Sequence, residues 1–187
     1  EQGVCMIKQK IYYGLEPLID TSQLSPSLSF AHQIHNLLLI LTMLKVIGIQ
    51  ADGFKSTLEK FAAPAHRLET IKHEPVHWIN DSKATNIPAT IAALRSLSPK
   101  PIILLLGGVG KGQDFKTLAQ FLDHKRLKKI IIFGQDQSYL YQTLQAHQPL
   151  KCDTLEHAVV MANQAAQNKD IVLLSPGCAS FDQFKNF

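Results

Sequence analysis

Several features that define common protein classes are missing from this chain of 187 residues. Its three cysteines, Cys5, Cys152 and Cys178, are far apart and form no CxxC pair, so neither a zinc site nor a disulfide framework is indicated. The longest apolar stretch, 37–49, is interrupted by Lys45 and is too short to span a bilayer, so we expect no membrane segment. The chain opens on polar and charged residues rather than on a signal peptide, and a reducing cytoplasm is the simplest location.

Motifs for nucleotide and metal chemistry are also missing. Around Lys111, a P-loop would need glycine where Leu105 stands and a hydroxyl residue where Gly112 stands. The dinucleotide fingerprint GxGxxG, started at Gly108, fails at Gln113. The eight histidines show no HExxH spacing. These absences disfavour a nicotinamide oxidoreductase and a zinc enzyme.

Charge is sparse and nearly balanced. The formal net charge is +4, with 45% hydrophobic and 18% charged residues, which is typical of a globular chain with one large or two small cores. The one dense cationic run, 124–129, most simply solvates a helix end before a strand. We therefore expect no nucleic-acid partner.

The chain after residue 65 alternates between two patterns. The segments HRLETIKHEPVHWIND, KPIILLLGG, KKIIIFG and DIVLLSPG have the composition of short or buried strands. Segments such as NIPATIAALRSLS, DFKTLAQFLDH and TLEHAVVMANQAAQ have helical spacing. Apolar strands separated by helices predict an α/β fold with a mainly parallel sheet covered on both faces.

The start of the chain is organised differently. Two short strands are predicted before residue 14, followed by a buried helix over SFAHQIHNLLLILTMLKVIG and a shorter helix capped by Asp52. Pro64 breaks the helical pattern. We therefore place a domain boundary there and predict domains at 1–64 and 65–187.

Polar clusters follow three of the predicted strands. They are NDSKATN (80–86), GGVGKG (107–112) and SPGCAS (175–180). The carboxyl ends of parallel strands lie at one edge of a sheet, where ligands bind. We expect the clusters to share one rim, where Lys111 and the starts of the following helices offer a site for an anion. One such helix is predicted to begin at SPGCAS.

Simpler interpretations of these clusters stay open. Thr85 or Asn86 could serve only as the cap of the following helix. Asp81 and Lys83 could form an exposed ion pair worth well under about 1 kcal/mol. Lys111 could be a solvated lysine in a strand-to-helix turn.

Two further residues have competing interpretations. Arg67, near the predicted boundary, either reaches phosphates or pairs with Glu69. Cys178 is either a nucleophile or a small buried residue, and because the sequence identifies no base beside it, we favour the buried residue.

Four motifs, HRLE, WINDSKATN, LLLGGVGKGQDF and SPGCASFDQFKNF, occur in this order. Together they resemble the Mur ligases, from about residue 32 to residue 187, and the last motif is most similar to the branch that adds D-glutamate. The resemblance implies a Rossmann-like C-terminal domain preceded by the tail of a P-loop-type ATPase central domain. Because neither the family's P-loop nor its UDP-binding domain is among these residues, it also implies a C-terminal piece of a longer ligase, inactive alone.

The resemblance implies a reaction as well. In Mur ligases ATP, with Mg²⁺, phosphorylates a substrate carboxylate, and the amine of the incoming amino acid then attacks the acyl phosphate. The implied substrates here are UDP-N-acetylmuramoyl-L-alanine and D-glutamate. The implied setting is cytoplasmic synthesis of peptidoglycan precursors by a monomer.

Site residues are also implied by position. Those on the D-glutamate side are Thr85, Lys111, Ser180, Phe181 and Phe187. Those on the ATP side are His35, Asn36, Arg67, Asp81 and Lys83, with Arg67 near the phosphates and Asp81 at the ribose. Two positions depart from the family pattern, since Leu39 replaces an asparagine on the nucleotide side and Val109 replaces an acid in the glycine loop.

Two other functions would use the same residues. One is a silent module that binds nucleotide or amino acid without chemistry. The other is a sister ligase, such as a folylpolyglutamate synthase, that adds a different amino acid. The motif SPGCASFDQFKNF favours the D-glutamate branch over a sister ligase.

Overall fold

The structure, a computed structural model, describes residues 3–25, 28, 31–49, 53, 55–72, 74–97, 100–122 and 127–185. The chain divides into two compact units, Glu1–Ala63 and Pro64–Phe187. The predicted helix cap at Asp52, the predicted substrate residue Phe187 and residues 124–126 of the cationic run lie outside the described residues.

The first unit is built on a small antiparallel sheet with the strand order β1–β2–β3. Its elements are β1 (Val4–Ile7), β2 (Lys10–Tyr13), β3 (Glu16–Asp20), α1 (Ala31–Val46) and α2 (Lys55–Lys60). Ile11 of β2 and Leu41 of α1 are almost fully buried in a shared core. The predicted strands and long helix are confirmed. The prediction lacks β3, because a strand that begins with Glu-Pro has little strand-like composition.

The apolar residues of α1 are not all buried. Ile34, Leu37 and Leu41 face the core, whereas Met43 and Val46 are 68% and 79% exposed. The prediction of a buried helix is therefore wrong for one face of α1 in the described residues. No helix in the described part of the chain combines the length and the apolar character that crossing a membrane requires.

The second unit is a six-stranded sheet with the order β4–β5–β9–β6–β7–β8, in which only the β4–β5 pair is antiparallel. Its strands are β4 (Glu69–Lys72), β5 (His77–Asn80), β6 (Ile102–Gly107), β7 (Leu127–Phe133), β8 (Leu150–Lys151) and β9 (Ile171–Leu174). Its helices are α3 (Ile87–Ser96), α4 (Lys116–Phe121), α5 (Gln137–Thr143) and α6 (Leu155–Ala165). The predicted α/β class with a mainly parallel sheet is confirmed. The prediction lacks β8, because two residues are too few to show the alternation of apolar and polar residues that indicates a strand.

Helices cover both faces of the central strand β6, which is buried along its whole length. On one face, Ile103 packs in a cluster with Ala158 of α6. On the other, the side chains of Leu106 and Ile87 of α3 converge around Gly177. A strand buried on both faces needs apolar residues at every position, which explains its continuous apolar sequence.

Candidate functional site

The carboxyl ends of four parallel strands form one rim of the second unit. These strands end at Asn80 (β5), Leu174 (β9), Gly107 (β6) and Phe133 (β7). The antiparallel strand β4 pairs Glu69 with Asn80. The residues that precede β4, Arg67 among them, therefore also reach this rim.

Three loops at the rim carry the predicted site residues. We name them the aspartate loop (81–86), the glycine loop (108–113) and the cysteine loop (175–180). The cysteine loop lies between the other two, because β9 lies between β5 and β6. As predicted, the three polar clusters share one rim.

Backbone hydrogen bonds join these loops. The Gly177 N–H donates to the Ala84 carbonyl oxygen at 2.8 Å. Val109 and Ala179 exchange two backbone hydrogen bonds, of 2.7 and 2.9 Å. Because Val109 contributes only backbone groups to this pair of hydrogen bonds, the pair does not depend on which side chain stands at position 109.

Two glycines allow the close approach of these backbones. Gly107 and Gly108 have φ angles of +150° and +122°. A Cβ atom would lie 2.0 Å from the Phe133 carbonyl oxygen at the first position and 2.3 Å from the Ala179 carbonyl oxygen at the second. The glycines therefore serve close backbone packing at this rim, which only residues without a Cβ permit.

Lys111 lies beside the segment that follows the cysteine loop. It is exposed and has a φ angle of +52°. Its Nζ atom lies 5.0 Å from the centroid of the Phe181 ring, a cation–π contact, and Phe181 itself is 63% exposed. The structure thus brings together two residues predicted for the D-glutamate side, next to a third, Ser180.

Thr85 is not the cap of α3. That role belongs to Asn86, whose side-chain oxygen accepts a hydrogen bond from the Ala89 N–H at 2.9 Å. Thr85 is exposed immediately before the cap. Its hydroxyl is therefore not required for helix capping.

Asp81 is buried, with 8% of its surface exposed. One carboxylate oxygen accepts a hydrogen bond from the Leu68 N–H at 3.2 Å, and the other accepts one from the Ser175 hydroxyl at 2.9 Å. Burial raises the pKa of Asp81 above its ordinary value, although these two hydrogen bonds and the positive charge of Arg67 act in the opposite direction. The alternative of an exposed Asp81–Lys83 ion pair is wrong. Its predicted ribose contact stays a prediction.

Asp81→Asn is expected to stabilise the fold more at about pH 7 than at about pH 4. The pKa of Asp81 in the folded protein lies above its ordinary value of 3.8, so the folded state binds the proton more tightly than the unfolded chain does. The stability that this group contributes is therefore present at low pH and is lost as the pH rises through the folded pKa. Asparagine has the same shape and no charge, so it removes this loss.

Urea unfolding of both proteins at the two pH values measures the effect. The amide that Asp81→Asn introduces can donate to the Ser175 oxygen while that hydroxyl turns to Thr90, 3.3 Å away. Asp81→Ala leaves Leu68 and Ser175 without their acceptor and should destabilise at both pH values. A difference in unfolding free energy between wild type and Asp81→Asn that does not change with pH would contradict this account.

A small cavity opens beside the aspartate and cysteine loops. It has a volume of about 260 Å³. Its polar lining residues are His66, Asn80, Ser82, Lys83 and Ser180. Of the predicted site residues in the described part of the chain, Lys83 and Ser180 thus share a cavity. Phe133 and Leu174 contribute to its apolar lining.

Arg67, a further cation at this rim, is exposed. The carboxylate of Glu69, its alternative partner, accepts a hydrogen bond from the His66 N–H at 2.9 Å and lies 3.9 Å from the His66 ring. Contacts with His66, rather than with Arg67, thus account for the position of Glu69. His35 and Asn36 lie in the first unit, exposed on α1.

Cys178 has the surroundings of an inert thiol. It is fully buried, and burial raises its pKa to about 12, with the negative charges of Asp136 and Asp182 acting in the same direction. A nucleophilic cysteine needs an accessible thiolate, so this residue is not one. The interpretation as a small buried residue is supported.

The cysteine loop does not lead into a helix within the described residues. After Ser180 the chain forms a turn in which the N–H groups of Gln183 and Phe184 donate to the Ser180 carbonyl oxygen at 3.1 and 3.0 Å. The predicted helix start at this loop is therefore wrong for the chain up to Lys185. Any anion here would meet a turn rather than a helix N-terminus.

The described residues supply no evident metal site. They contain no group of three or more histidine, cysteine, aspartate or glutamate side chains placed to hold an ion. Both carboxylate oxygens of Asp81 already accept hydrogen bonds from the protein. The described residues therefore contain no ready-made protein cage for a metal ion, whereas Mg²⁺ bound together with phosphates needs only one or two carboxylates.

Some structural residues of the rim carry little signal in the sequence. The Asp136 carboxylate accepts a hydrogen bond from the Gly110 N–H at 2.6 Å, and the Asp182 carboxylate accepts one from the Gln135 N–H at 2.8 Å. These partners are 26 and 47 residues apart. Only the position of Asp136, just after a predicted strand, is a usable clue.

A mainly parallel sheet with polar loops and exposed cations along one rim gives the second unit a Rossmann-like fold. The family described as "Mur ligase, glutamate ligase domain" matches residues 66–178, which make up most of this unit. The chain belongs to the Mur ligase family.

A curated relative extends the match beyond this domain. The UDP-N-acetylmuramoylalanine–D-glutamate ligase of Francisella philomiragia is 38% identical over 185 residues, which cover 97% of this chain. The same alignment covers 44% of the relative. The chain thus spans less than half the length of this protein.

Solved structures share the fold at low sequence identity. MurF from Acinetobacter baumannii has a TM-score of 0.64 and 16% identity, over 96% of this chain and 41% of that one. A bifunctional folylpolyglutamate synthase/dihydrofolate synthase from Yersinia pestis, complexed with AMPPNP and Mn, has a TM-score of 0.65 and 20% identity, over 92% of this chain and 41% of that one. These likenesses establish the fold alone.

Proposed function

We propose that this chain is part of an ATP-dependent amide ligase that adds D-glutamate to UDP-N-acetylmuramoyl-L-alanine in cytoplasmic peptidoglycan precursor synthesis. The observation that supports the proposal is the position of the Lys111 ammonium at the rim, 5.0 Å from the ring of Phe181, the residue that follows Ser180. The named function of the Francisella relative supports the choice of amino acid.

D-Glutamate carries two carboxylates, and the rim offers groups that suit them. Lys111 of the glycine loop provides a positive charge. Thr85 of the aspartate loop and Ser180 of the cysteine loop provide hydroxyl donors. Hydrogen bonds between ionised partners are roughly twice as strong as neutral ones, so the lysine should dominate. The proposed contact at Phe187 lies outside the described residues.

The contribution of this domain to the reaction is orientation. ATP, when bound, supplies the phosphoryl group that converts the carboxylate of the UDP-linked substrate into an acyl phosphate. The amine of the held D-glutamate then attacks the acyl carbon, the new amide bond forms, and phosphate leaves. Fixing the amino acid in place lowers the entropic part of this barrier.

On the nucleotide side, we propose phosphate contacts from Arg67 and Lys83 and a ribose contact from Asp81. Arg67 and Lys83 are exposed at the rim, which suits this role. Asp81 would also have to keep its internal hydrogen bonds.

In the first unit, we propose His35 and Asn36 as nucleotide contacts and residues 1–64 as the tail of the ATP-binding domain. We further propose that the ligase is a monomer.

The longer protein that contains this chain should form product only with D-glutamate. The assay supplies UDP-N-acetylmuramoyl-L-alanine, ATP and Mg²⁺ with one amino acid at a time from a panel of D- and L-amino acids, and it measures phosphate release and product mass. Turnover with another amino acid would identify a sister ligase instead. Binding of D-glutamate without turnover would favour a silent binding module.

A further inference from the structure

The side chain of Gln113 hydrogen-bonds to three separate segments of the rim. Its amide oxygen accepts from the N–H of Ile87, the first residue of α3, at 3.0 Å. Its amide nitrogen donates to the carbonyl oxygens of Gly110 at 3.0 Å and Gly177 at 3.1 Å. One side chain thus connects the glycine loop, the cysteine loop and the helix that follows the aspartate loop.

A glutamine suits these three partners. The Ile87 N–H is one of the groups at a helix start that has no partner within its own helix, and it needs an acceptor. Gly110 and Gly177 present carbonyl oxygens, which need donors. An amide offers one acceptor and two donors in a single plane, whereas a glutamate offers acceptors only and a lysine offers donors only. Since all three partners are backbone groups, the arrangement depends on the side chain at position 113 alone.

Each of these contacts lies close in sequence to a proposed D-glutamate residue. Thr85 is two residues before Ile87, Lys111 is two residues before Gln113, and Ser180 is three residues after Gly177. The backbone bonds described above join the cysteine loop to each of its neighbours. Gln113 adds a direct connection between the glycine loop and the start of α3.

We propose that Gln113 is a positioning residue that fixes the separation of Lys111 from Thr85 and Ser180, and thereby the fit of the two D-glutamate carboxylates. Lys111 has a left-handed backbone conformation, with a φ angle of +52°, so its loop needs support from its neighbours. Gln113 gives that support through the Gly110 carbonyl. This inference rests on the proposed function, because it assigns Gln113 to the amino-acid side of that reaction.

The test uses Gln113→Met in the longer ligase, because methionine keeps the volume of glutamine and makes none of the three hydrogen bonds. We expect the KM for D-glutamate to rise about tenfold and the KM for ATP to change by less than about twofold. Gln113→Ala should show the same selectivity. Gln120→Ala is the matched control, because Gln120 is an exposed glutamine on α4.

Thermal unfolding of each variant separates positioning from a merely structural role. A lower Tm with equal rises in both KM values, or loss of folding in both variants, would make Gln113 a structural residue and overturn the proposal. An unchanged KM for D-glutamate would overturn it too. If the wild-type ligase itself does not use D-glutamate, the proposed function fails, and this is seen before any variant is made.

Discussion

Lys111→Ala in the longer ligase is expected to raise the KM for D-glutamate roughly ten- to a hundredfold, while the KM for ATP stays nearly constant. A hydrogen bond to a charged group is worth about 1.5–3 kcal/mol, and each 1.4 kcal/mol is about a factor of ten. The ammonium of Lys111 is exposed at the rim, so a carboxylate can reach it without displacing a buried partner. Initial rates measured with one substrate varied and the others saturating give both constants.

A neighbouring lysine provides the control for this prediction. Lys116, at the start of α4, is also exposed, so Lys116→Ala removes the same charge from the same region. It should leave both KM values close to those of the wild type. Lys111→Arg keeps the charge and should recover part of the loss, although a guanidinium has a different donor geometry. Equal rises in the KM for D-glutamate and for ATP after Lys111→Ala would remove this lysine from the amino-acid site.

The main features of the fold could be predicted because long buried strands have a distinctive sequence. The six residues of β6 are all apolar or glycine and all buried, and such a run between helical patterns fits few structures other than a parallel sheet. The two missed strands, β3 and β8, have five and two residues, and β3 contains a proline. For β8, which is too short to show a pattern, and for β3, which begins with Glu-Pro, neighbouring strands rather than the local sequence determine the structure.

The rim was predictable for a related reason. Once the strands are known to be parallel, the residues after their carboxyl ends must lie on one edge, whatever their identity. The loops that carry Asp81 and Lys111 could therefore be placed at the same rim from spacing alone. Burial could not be predicted in this way. Asp81 stands in a polar segment typical of an exposed loop, yet hydrogen bonds from Leu68 and Ser175 hold it inside the protein.

Contacts between residues that are far apart in the sequence account for what the sequence does not reveal. Gln113 and Ile87 are 26 residues apart, and Gln113 and Gly177 are 64 apart. Their hydrogen bonds depend on which strands are neighbours and on the conformation of each loop. Strand order and loop conformation leave no periodic pattern in the sequence from which they could be predicted. The order of the strands, with β9 between β5 and β6, is what brings these residues together.

The 187-residue chain by itself is expected to show no D-glutamate-dependent hydrolysis of ATP. Phosphoryl transfer depends on positioning and on positive charge around the γ-phosphate, and a single such cation contributes about 10³- to 10⁵-fold to kcat in GTPases. In P-loop enzymes a GxxGK[ST] motif provides a lysine and backbone N–H groups that hold the phosphates. The sequence of this chain contains no such motif. The described residues also offer no cluster that would hold the metal ion. Several of the largest contributions to the rate are thus missing at once, and the remaining rate should equal that of ATP in buffer.

The measurement is phosphate release by the purified chain with ATP, Mg²⁺, UDP-N-acetylmuramoyl-L-alanine and D-glutamate, beside the longer protein as the positive control. Lys111→Ala in the same chain tests for a contaminating ATPase, because a contaminant does not respond to this substitution. Hydrolysis that depends on D-glutamate, elutes with the chain and disappears in Lys111→Ala would show that these residues carry a complete phosphoryl-transfer site. The chain would then need a phosphate-binding element other than a P-loop, and the exposed cations Arg67 and Lys83 would be the first residues to replace.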